Sequence, residues 1–585
     1  MTNNAIELKQ VSYRYARTDK YVINNLDFSV KPGEFVAVMG ENGAGKSTLC
    51  QIIIGIIPNS LGGRLKGDVI VGGLNTKEAS IAELATRVGI VLDDPETQLF
   101  TTSVRSEVAF GPENLNSPVE EIKERIRWVL DVVRLTGYED RLPTALSGGQ
   151  KQRLAIAAAL AMRPSILVLD EATSQVDPLG VVEVLTLVKE LNQKYGMTIV
   201  MTTDQSEEVA KLADRVLVLD KGSLVAEGTP RQIFSDTALF SRLMIRAPQV
   251  SQLGMKLSQA GHPLKSFPVS LEEGCQGIIE LLADKPASPP KREPEAVTGV
   301  EAKPQNDVII SVKDLDYVYQ PQDVKAVKNV TFDVHKGEFV AIIGQNGSGK
   351  TTVLKNLLGL LKPTSGSVMV AGMDTKTTAV AELAQHVGFV LQNPDQQLFA
   401  ETVEDEISFG PRNLGLDEAT VKDRLEQALK LVGLEAQRKE FPPALSKGER
   451  AKVVIASALA LNPEVIVLDE PTTGQDYKGC HQIMQIARSL HEEGRTIVFV
   501  THHMALVAEY ARRVIVMCEG EILIDDSTER VFARPELVRR AHIIPPQITE
   551  LCQMLPEELS LPRTPLSVSQ VYETILARLG KNGNQ

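Results

Sequence analysis

Long apolar runs are missing from this 585-residue sequence: its apolar stretches are strand-sized and interrupted, and none reaches the roughly 18–20 residues that cross a bilayer. Bilayer-spanning helices are therefore not expected. An excess of basic charge is missing too. With 62 Lys and Arg against 75 Asp and Glu the formal net charge is −13, which argues against a nucleic-acid binder relying on a global basic surface. Cysteine is scarce. Cys50, Cys275, Cys480, Cys518 and Cys552 are scattered, odd in number and without C-x-x-C spacing, so neither a disulfide framework nor a metal knuckle organises the chain. The opening residues Met1–Glu7 show neither a basic nor an apolar leader region, and a cytosolic protein is expected.

Glycine, by contrast, is present in a pattern. Gly344-Gln345-Asn346-Gly347-Ser348-Gly349-Lys350-Thr351 reads G-x-x-x-x-G-K-[ST]. The strand-like run Glu338–Ile343 precedes it, and Thr352–Leu358 follows with helical apolar spacing. In that setting the backbone N–H groups curl around phosphates, Lys350 reaches the terminal ones, and Thr351 offers its hydroxyl to Mg²⁺. The motif occurs a second time, at Gly40-Glu41-Asn42-Gly43-Ala44-Gly45-Lys46-Ser47, followed by Thr48. ATP and Mg²⁺ are the ligands such loops imply.

The chain is a tandem repeat. Val88–Pro95 answers Val387–Pro394, Gln98-Leu99-Phe100 answers Gln397-Leu398-Phe399, and Glu107–Pro112 answers Glu406–Pro411. A lag of about 300 residues is too long for a solenoid unit and means two whole domains, as the length also requires. A segment after each domain repeats as well, Ala247–Leu253 resembling Pro545–Leu551. The expected layout is a nucleotide domain over 1–240, a helical extension over 241–283, a Pro-rich linker over 284–306, a second domain over 307–540 and its extension over 541–585. Continuous apolar runs such as Ile166–Leu169 and Val465–Leu468 predict a sheet covered on both faces, hence an α/β fold. Ile6–Tyr15, Val22–Val30 and Asp68–Val71 predict an antiparallel part beside it.

Each buried run ends in an acid pair, Asp170-Glu171 and Asp469-Glu470. The aspartates suit Mg²⁺, opposite the hydroxyls of Ser47 and Thr351, and the glutamates suit activation of a water. Upstream, Leu146-Ser147-Gly148-Gly149-Gln150 opens a helix and makes a second anion site at its N-terminus.

Phosphate loop, Leu-Ser-Gly-Gly-Gln and Asp-Glu strand end together resemble ABC transporter ATPases, with about 80% of the chain covered by the likeness. The Gln-Leu-Phe and Glu-x-x-x-Phe-Gly-Pro stretches and the extensions are similar, more narrowly, to energy-coupling-factor importer ATPases. That resemblance implies an ATPase peripheral on the cytoplasmic face of the membrane. It also implies an integral scaffold subunit and a substrate-binding membrane subunit as partners, and vitamin or transition-metal uptake as the task. It implies two cassettes closing head to tail, each phosphate loop meeting the other's signature. Tyr15 and Tyr319 would stack on adenine, with Tyr13 and Tyr317 as alternatives two residues away. Phe110 and Phe409 lie where the family grips its membrane subunit, with Leu99, Phe100, Leu398 and Phe399 beside them.

The copies differ. The family's histidine after the next strand is His502 in the second copy, where the first reads Thr202-Thr203. The family's glutamine that senses metal and water is Gln392 in the second copy and Asp93 in the first. The first signature is intact, whereas the second reads Leu445-Ser446-Lys447-Gly448-Glu449. Under head-to-tail pairing every departure falls on one composite site. Lys350, Gln392, Asp469, Glu470 and His502 join Ser147–Gln150 in a hydrolytic site, and the other mainly binds nucleotide. Two other classes fit less well: a soluble tandem-cassette ATPase acting on ribosomes, and the tandem ATPase of a binding-protein-dependent sugar importer. The first usually has a charged helical linker and two intact signatures.

Overall fold

The computed structural model describes residues 4–16, 18–243, 245–283, 307–320 and 323–579. The Pro-rich segment 284–306 lies outside the described residues. The chain divides into two compact units, Met1–Gly277 and Ile278–Gln585.

In the first unit ten strands form two sheets. β1 (Ile6–Tyr15), β2 (Ile23–Val30), β4 (Gly63–Val71) and β5 (Leu74–Asn75) make an antiparallel sheet in the order β2-β1-β4-β5. β3 (Phe35–Met39), β6 (Val88–Val91), β7 (Ile166–Asp170), β8 (Thr198–Thr202), β9 (Arg215–Asp220) and β10 (Ser223–Gly228) make the second, in the order β10-β9-β3-β8-β7-β6. Only β10 runs antiparallel there. Every residue of β3, β7 and β8 is buried, which is why these runs read as continuously apolar. Their period of two still sorts the faces. Val36, Val38, Val168 and Val200 pack toward the antiparallel sheet and the helix Lys46–Ile53. Phe35, Leu167, Leu169 and Ile199 pack toward the helices Gly148–Leu160 and Pro178–Tyr195. Ala37 and Met39 meet Phe234, Phe240 and Leu243 after the last strand. Two helices, Val104–Asn114 and Val119–Val132, are inserted between β6 and β7, and Gln249–Gln259 and Leu271–Leu282 close the extension.

The second unit repeats the plan. β11 (Val308–Tyr319), β12 (Val324–His335), β14 (Ser365–Val370) and β15 (Met373–Asp374) form the antiparallel sheet. β13 (Phe339–Ile343), β16 (Val387–Val390), β17 (Val465–Asp469), β18 (Thr496–Val500), β19 (Arg513–Cys518) and β20 (Glu521–Ser527) form the other, in the order β16-β17-β18-β13-β19-β20. Both units are α/β with an antiparallel sheet beside a mixed parallel one. In each, β3 or β13 delivers the phosphate loop from the middle of the sheet. The neighbouring strand β8 or β18 separates it from the strand that ends in the acid pair. Among the described residues no helix is long and apolar enough to cross a membrane.

Candidate active site

Each phosphate loop is a cradle built on glycine. Gly344 has φ +153°, and a Cβ there would come within 2.2 Å of the Met517 carbonyl oxygen; at Gly40, φ +155°, it would lie 2.4 Å from that of Leu219. Only glycine fits. At Gly43 and Gly347, both at φ +80°, nothing lies within 4 Å, so the cradle is open where a phosphate would enter. Lys46 and Lys350 are buried at the start of their helices. Lys350 Nζ donates to the carbonyls of Gly344 at 2.8 Å and Gln345 at 2.9 Å, and Lys46 Nζ to that of Gly40 at 2.9 Å. Ser348 Oγ is buried in the second cradle without a hydrogen-bond partner. An orphaned hydroxyl, inward-arched lysines and open glycines fit a polyphosphate. Ser47 Oγ donates to Asp170 Oδ1 at 3.2 Å, and Thr351 likewise hydrogen-bonds Asp469. These hydroxyl–carboxylate pairs have the hard oxygen chemistry that Mg²⁺ takes.

Tyr15 and Tyr319 lie beside these loops, their hydroxyls 3.0 Å from Thr48 Oγ1 and 3.2 Å from Thr352 Oγ1. Tyr13 is fully buried and donates to the Gly62 carbonyl at 2.7 Å, which makes it a core residue. Tyr317 packs against the second unit's core.

The acid pairs are held under strain. Glu171 and Glu470 sit at φ +49° and +47°, unusual for a residue with a Cβ. Neighbouring strands pin them there: Glu470 N donates to the Val500 carbonyl at 3.0 Å, and Glu171 N to Thr202 Oγ1 at 2.9 Å. Around Glu470 three side chains converge. Gln392 Nε2 donates to Glu470 Oε2 at 2.8 Å, Thr473 Oγ1 to the same oxygen at 3.2 Å, and His502 Nδ1 lies 3.5 Å from it. Burial alone would raise Glu470, but the hydrogen bond and charge of His502, with Lys350 and Thr473, overcome it and hold the carboxyl down at about 2. Asp469 goes the other way. Burial, and then the adjacent Glu470, push it up to about 6 against the hydroxyl of Thr351 and the charge of Lys350.

In the first unit this convergence is absent. Glu171 pairs with Lys46, Oε1 to Nζ at 3.2 Å, and Ser174 Oγ, the counterpart of Thr473, is buried without a partner. Thr202 Oγ1 donates instead to Asp170 Oδ1 at 2.7 Å. Burial raises Asp170, and Asp93 lies near enough to raise it further. The sheet register also corrects one reading of the sequence. Val38 pairs with Thr202 as Ile342 pairs with Val500, and Gln205 N donates to Thr203 Oγ1 as His503 N does to Thr501 Oγ1. The counterpart of His502 is therefore Asp204, not Thr203. Aligning Ile199-Val200-Met201 with Ile497-Val498-Phe499 carries this signal; counting from the threonines misses it.

The signatures differ in one hydrogen bond. Ser147 caps the helix Gly148–Leu160, accepting from Gln150 N at 3.3 Å, while Gln150 Oε1 accepts from Ser147 N at 3.0 Å. At Ser446 the same box forms with Glu449, but the serine hydroxyl also donates to the carboxylate, Oγ to Oε2 at 2.6 Å. In this arrangement Gln150 takes the Ser147 backbone N–H and leaves the hydroxyl to donate to an anion, whereas the Ser446 hydroxyl already donates to Glu449. The Lys447 amine crowds the Gly474 backbone, filling the place a Cβ would take there.

A family model described as ABC transporter matches residues 23–174 and 327–473. The chain belongs to the ABC transporter family. A putative ABC transporter ATP-binding protein of Caldanaerobacter subterraneus is 42% identical over 561 residues, covering 95% of this chain and 97% of its own. Another, from Methanosarcina mazei, is 38% identical, covering 93% and 92%. Among solved structures, cbiO1 from Clostridium perfringens, described as part of the ABC transporter complex cbiONQ, is 35% identical over 42% of this chain and all of its own, with a TM-score of 0.38. The protein is a tandem ABC transporter ATP-binding protein with two ATP-binding cassettes.

In each ABC cassette the stretch after the glutamine position is built around a second glutamine and a glutamate. Gln397 closes its own loop, accepting from Leu391 N at 2.8 Å and donating to the Phe389 carbonyl at 3.2 Å. Buried Glu406 accepts from Phe399 N at 2.9 Å and Ala400 N at 2.8 Å. Gln98 and Glu107 do the same in the first cassette. Leu99 and Leu398 pack half-buried on the cores. Each phenylalanine is left outside: Phe100 stacks edge-on against Phe110 at 4.8 Å and Phe399 against Phe409 at 4.7 Å, all four exposed. Beside the second pair a groove of about 310 Å³ runs between Leu360, Val380, Phe389 and Leu461.

Proposed function

We propose that this chain is the ATPase subunit of an energy-coupling-factor type importer taking up a vitamin or a transition-metal ion, peripheral on the cytoplasmic face of the membrane. Its partners are an integral scaffold subunit and a substrate-binding membrane subunit. The two cassettes close head to tail over two ATPs, and only one composite site hydrolyses efficiently. The convergence of Gln392, Thr473 and His502 on Glu470, without a counterpart around Glu171, carries this reading. The repeated Phe-Gly-Pro stretches, the helical extensions and the exposed phenylalanine pairs support the importer class.

In the competent site the loop N–H groups and Lys350 bind the phosphates, and Ser147 with the N–H groups of Gly148, Gly149 and Gln150 completes the γ-phosphate cage from the other cassette. Tyr319 supplies an adenine platform, and Tyr15 its counterpart. Thr351, Asp469 and Gln392 would hold Mg²⁺, as Ser47 and Asp170 would in the first cassette; when bound it neutralises phosphate charge. Glu470 takes the proton of the attacking water as the bond from γ-phosphorus to its bridging oxygen breaks and ADP departs. A carboxylate held near 2 is a poor base, but the groups that hold it there, His502 and Lys350, are those that bind phosphate. Engaging phosphate draws them off Glu470 and restores its basicity.

The test compares Glu470→Gln with Glu171→Gln in the assembled transporter. The first is expected to lower ATPase activity by about 100-fold or more, in line with loss of a general base, and the second by only a few-fold. Equal losses would overturn the asymmetric reading. Recovery of the chain with ribosomes rather than with integral membrane proteins would overturn the importer reading.

A further inference from the structure

The first cassette keeps the glycines, the lysine and the helix start of a phosphate cradle, with Ala44 in the place of Ser348, yet what surrounds the place of a third phosphate is different. β8 lies between β3 and β7, so the residues that follow it leave the sheet between the phosphate loop and the acid pair. There the second cassette presents His502, and the first presents exposed Asp204. At the end of β6 the second cassette presents the amide of Gln392, and the first presents Asp93, close enough to Asp170 to act on its charge. Asp93 and Glu171 both act on Asp170 at one end of the first cradle, and Asp204 adds a fourth carboxylate at the register position of His502. The second cradle sets two carboxylates against an imidazole and an amide.

The lysine is also placed differently in energy. Any phosphate that engages Lys46 must compete with Glu171, since the two are ion-paired at 3.2 Å with Lys46 almost wholly buried. When Lys350 turns away from Glu470, that carboxylate still has Gln392, Thr473 and His502. When Lys46 turns away from Glu171, none of the counterparts replaces it. Asp93 and Asp204 are carboxylates, and Ser174 Oγ makes no hydrogen bond. Removing one partner of such a pair strands a charge, which is costly. The backbone contacts that a β-phosphate uses are alike: the open glycine position at Gly43 and Gly347 and the helix start after Gly45 and Gly349 have the same geometry in both cradles.

We propose that the first cassette is tuned to hold a nucleoside diphosphate: the negative charges of Asp93 and Asp204 act against the γ-phosphate and leave the loop N–H contacts of the β-phosphate in place. This deepens the asymmetric reading above, because the weak site then differs in what it retains as well as in how slowly it cuts. Asp93 and Asp204 are its specificity-determining residues. A unit charge some 6–8 Å from another changes an affinity by at least about tenfold at an effective dielectric near 20.

The experiment uses the full chain with one cradle disabled at a time, Lys350→Ala to read the first and Lys46→Ala to read the second. Displacement of a fluorescent ADP by ADP and by the β,γ-imido analogue of ATP, both with Mg²⁺, gives a triphosphate-to-diphosphate affinity ratio for each cradle. The ratio is expected to be at least about tenfold lower for the first cradle. Adding Asp93→Gln and Asp204→His to the Lys350→Ala chain is expected to bring it to the value of the second, and raising salt to narrow the gap. If that combination does not fold, Asp204→Asn alone, at an exposed position, is expected to move the ratio the same way by about half as much on a logarithmic scale. Equal ratios in the two cradles, a ratio indifferent to both sets of replacements, or no nucleotide binding by the Lys350→Ala chain would overturn the proposal. The comparison of Glu470→Gln with Glu171→Gln reads hydrolysis and stands or falls separately from these binding ratios.

Discussion

Single atoms decide most of what distinguishes the two cassettes. Gln150 Oε1 accepts from the Ser147 backbone and leaves its hydroxyl available, whereas the Ser446 hydroxyl donates to Glu449 Oε2 at 2.6 Å. Within one loop, two glycines carry different burdens. Gly344 sits where a Cβ would strike the Met517 carbonyl, whereas Gly347 faces open space. Gly344→Ala is therefore expected to lower the stability of the second unit by about 2–4 kcal/mol, through combined backbone strain and collision. Gly347→Ala, strained only by its positive φ, is expected to cost about 1 kcal/mol but to weaken nucleotide binding by intruding on the cradle. Thermal unfolding with and without MgADP separates the two: Gly344→Ala lowers the midpoint in both conditions, and Gly347→Ala mainly removes the nucleotide's stabilising shift. Both cradles were legible in the sequence because the glycine spacing is itself the geometry. Asp204 was not, since its meaning depends on where β8 stops, and a threonine shared by both strand ends hides the frame.

At the scale of elements, the strands Ile166–Asp170 and Thr198–Thr202 could be read to the residue because burial on both faces leaves an uninterrupted apolar run. The Gln-Leu-Phe and Phe-Gly-Pro stretches were legible only as a repeat. Their physical content appears once the loop is closed: Gln397 staples its base, Glu406 accepts two backbone N–H groups, and the phenylalanines are what remains outside. A glutamate working as a backbone anchor has no spacing that announces it. Glu406 is 5% exposed, so Glu406→Ala strands two partly buried donors, and a loss of about 2–3 kcal/mol is expected. Hydrogen exchange should locate it, with the Phe399 and Ala400 amides losing protection while the cradle amides keep theirs. Glu406→Gln, which retains one acceptor oxygen, is expected to lose about half as much. Unchanged protection at both amides in Glu406→Ala would show that the glutamate is not the anchor.

For the whole molecule the question is why a repeat that has diverged at its chemistry has not diverged at its exposed aromatics. Asp93 stands where the second cassette has Gln392, Asp204 where it has His502, and Lys447 where the first has Gly148, yet Phe100 and Phe110 stack as Phe399 and Phe409 do, within 0.1 Å of the same separation (4.8 and 4.7 Å). A pair of rings left about half exposed on each unit is apolar surface that water does not favour and that the core does not need. In the importer reading each pair is a handle for the membrane scaffold, so hydrolysis at one site moves a partner gripped at two. That separates grip from chemistry. Phe399→Ala with Phe409→Ala is expected to leave nucleotide affinity within about twofold and to reduce co-purification with the membrane subunits by about tenfold or more, the cost of removing two buried aromatic anchors from an interface. The matching change at Phe100 and Phe110 is expected to do the same, although its cassette supplies the weaker cradle. If the first pair matters and the second does not, the scaffold is held from one side and the two cassettes are unequal in coupling as well as in chemistry. If neither matters, the rings are not the grip, and the groove beside Phe389 and Leu461 has to be read without them.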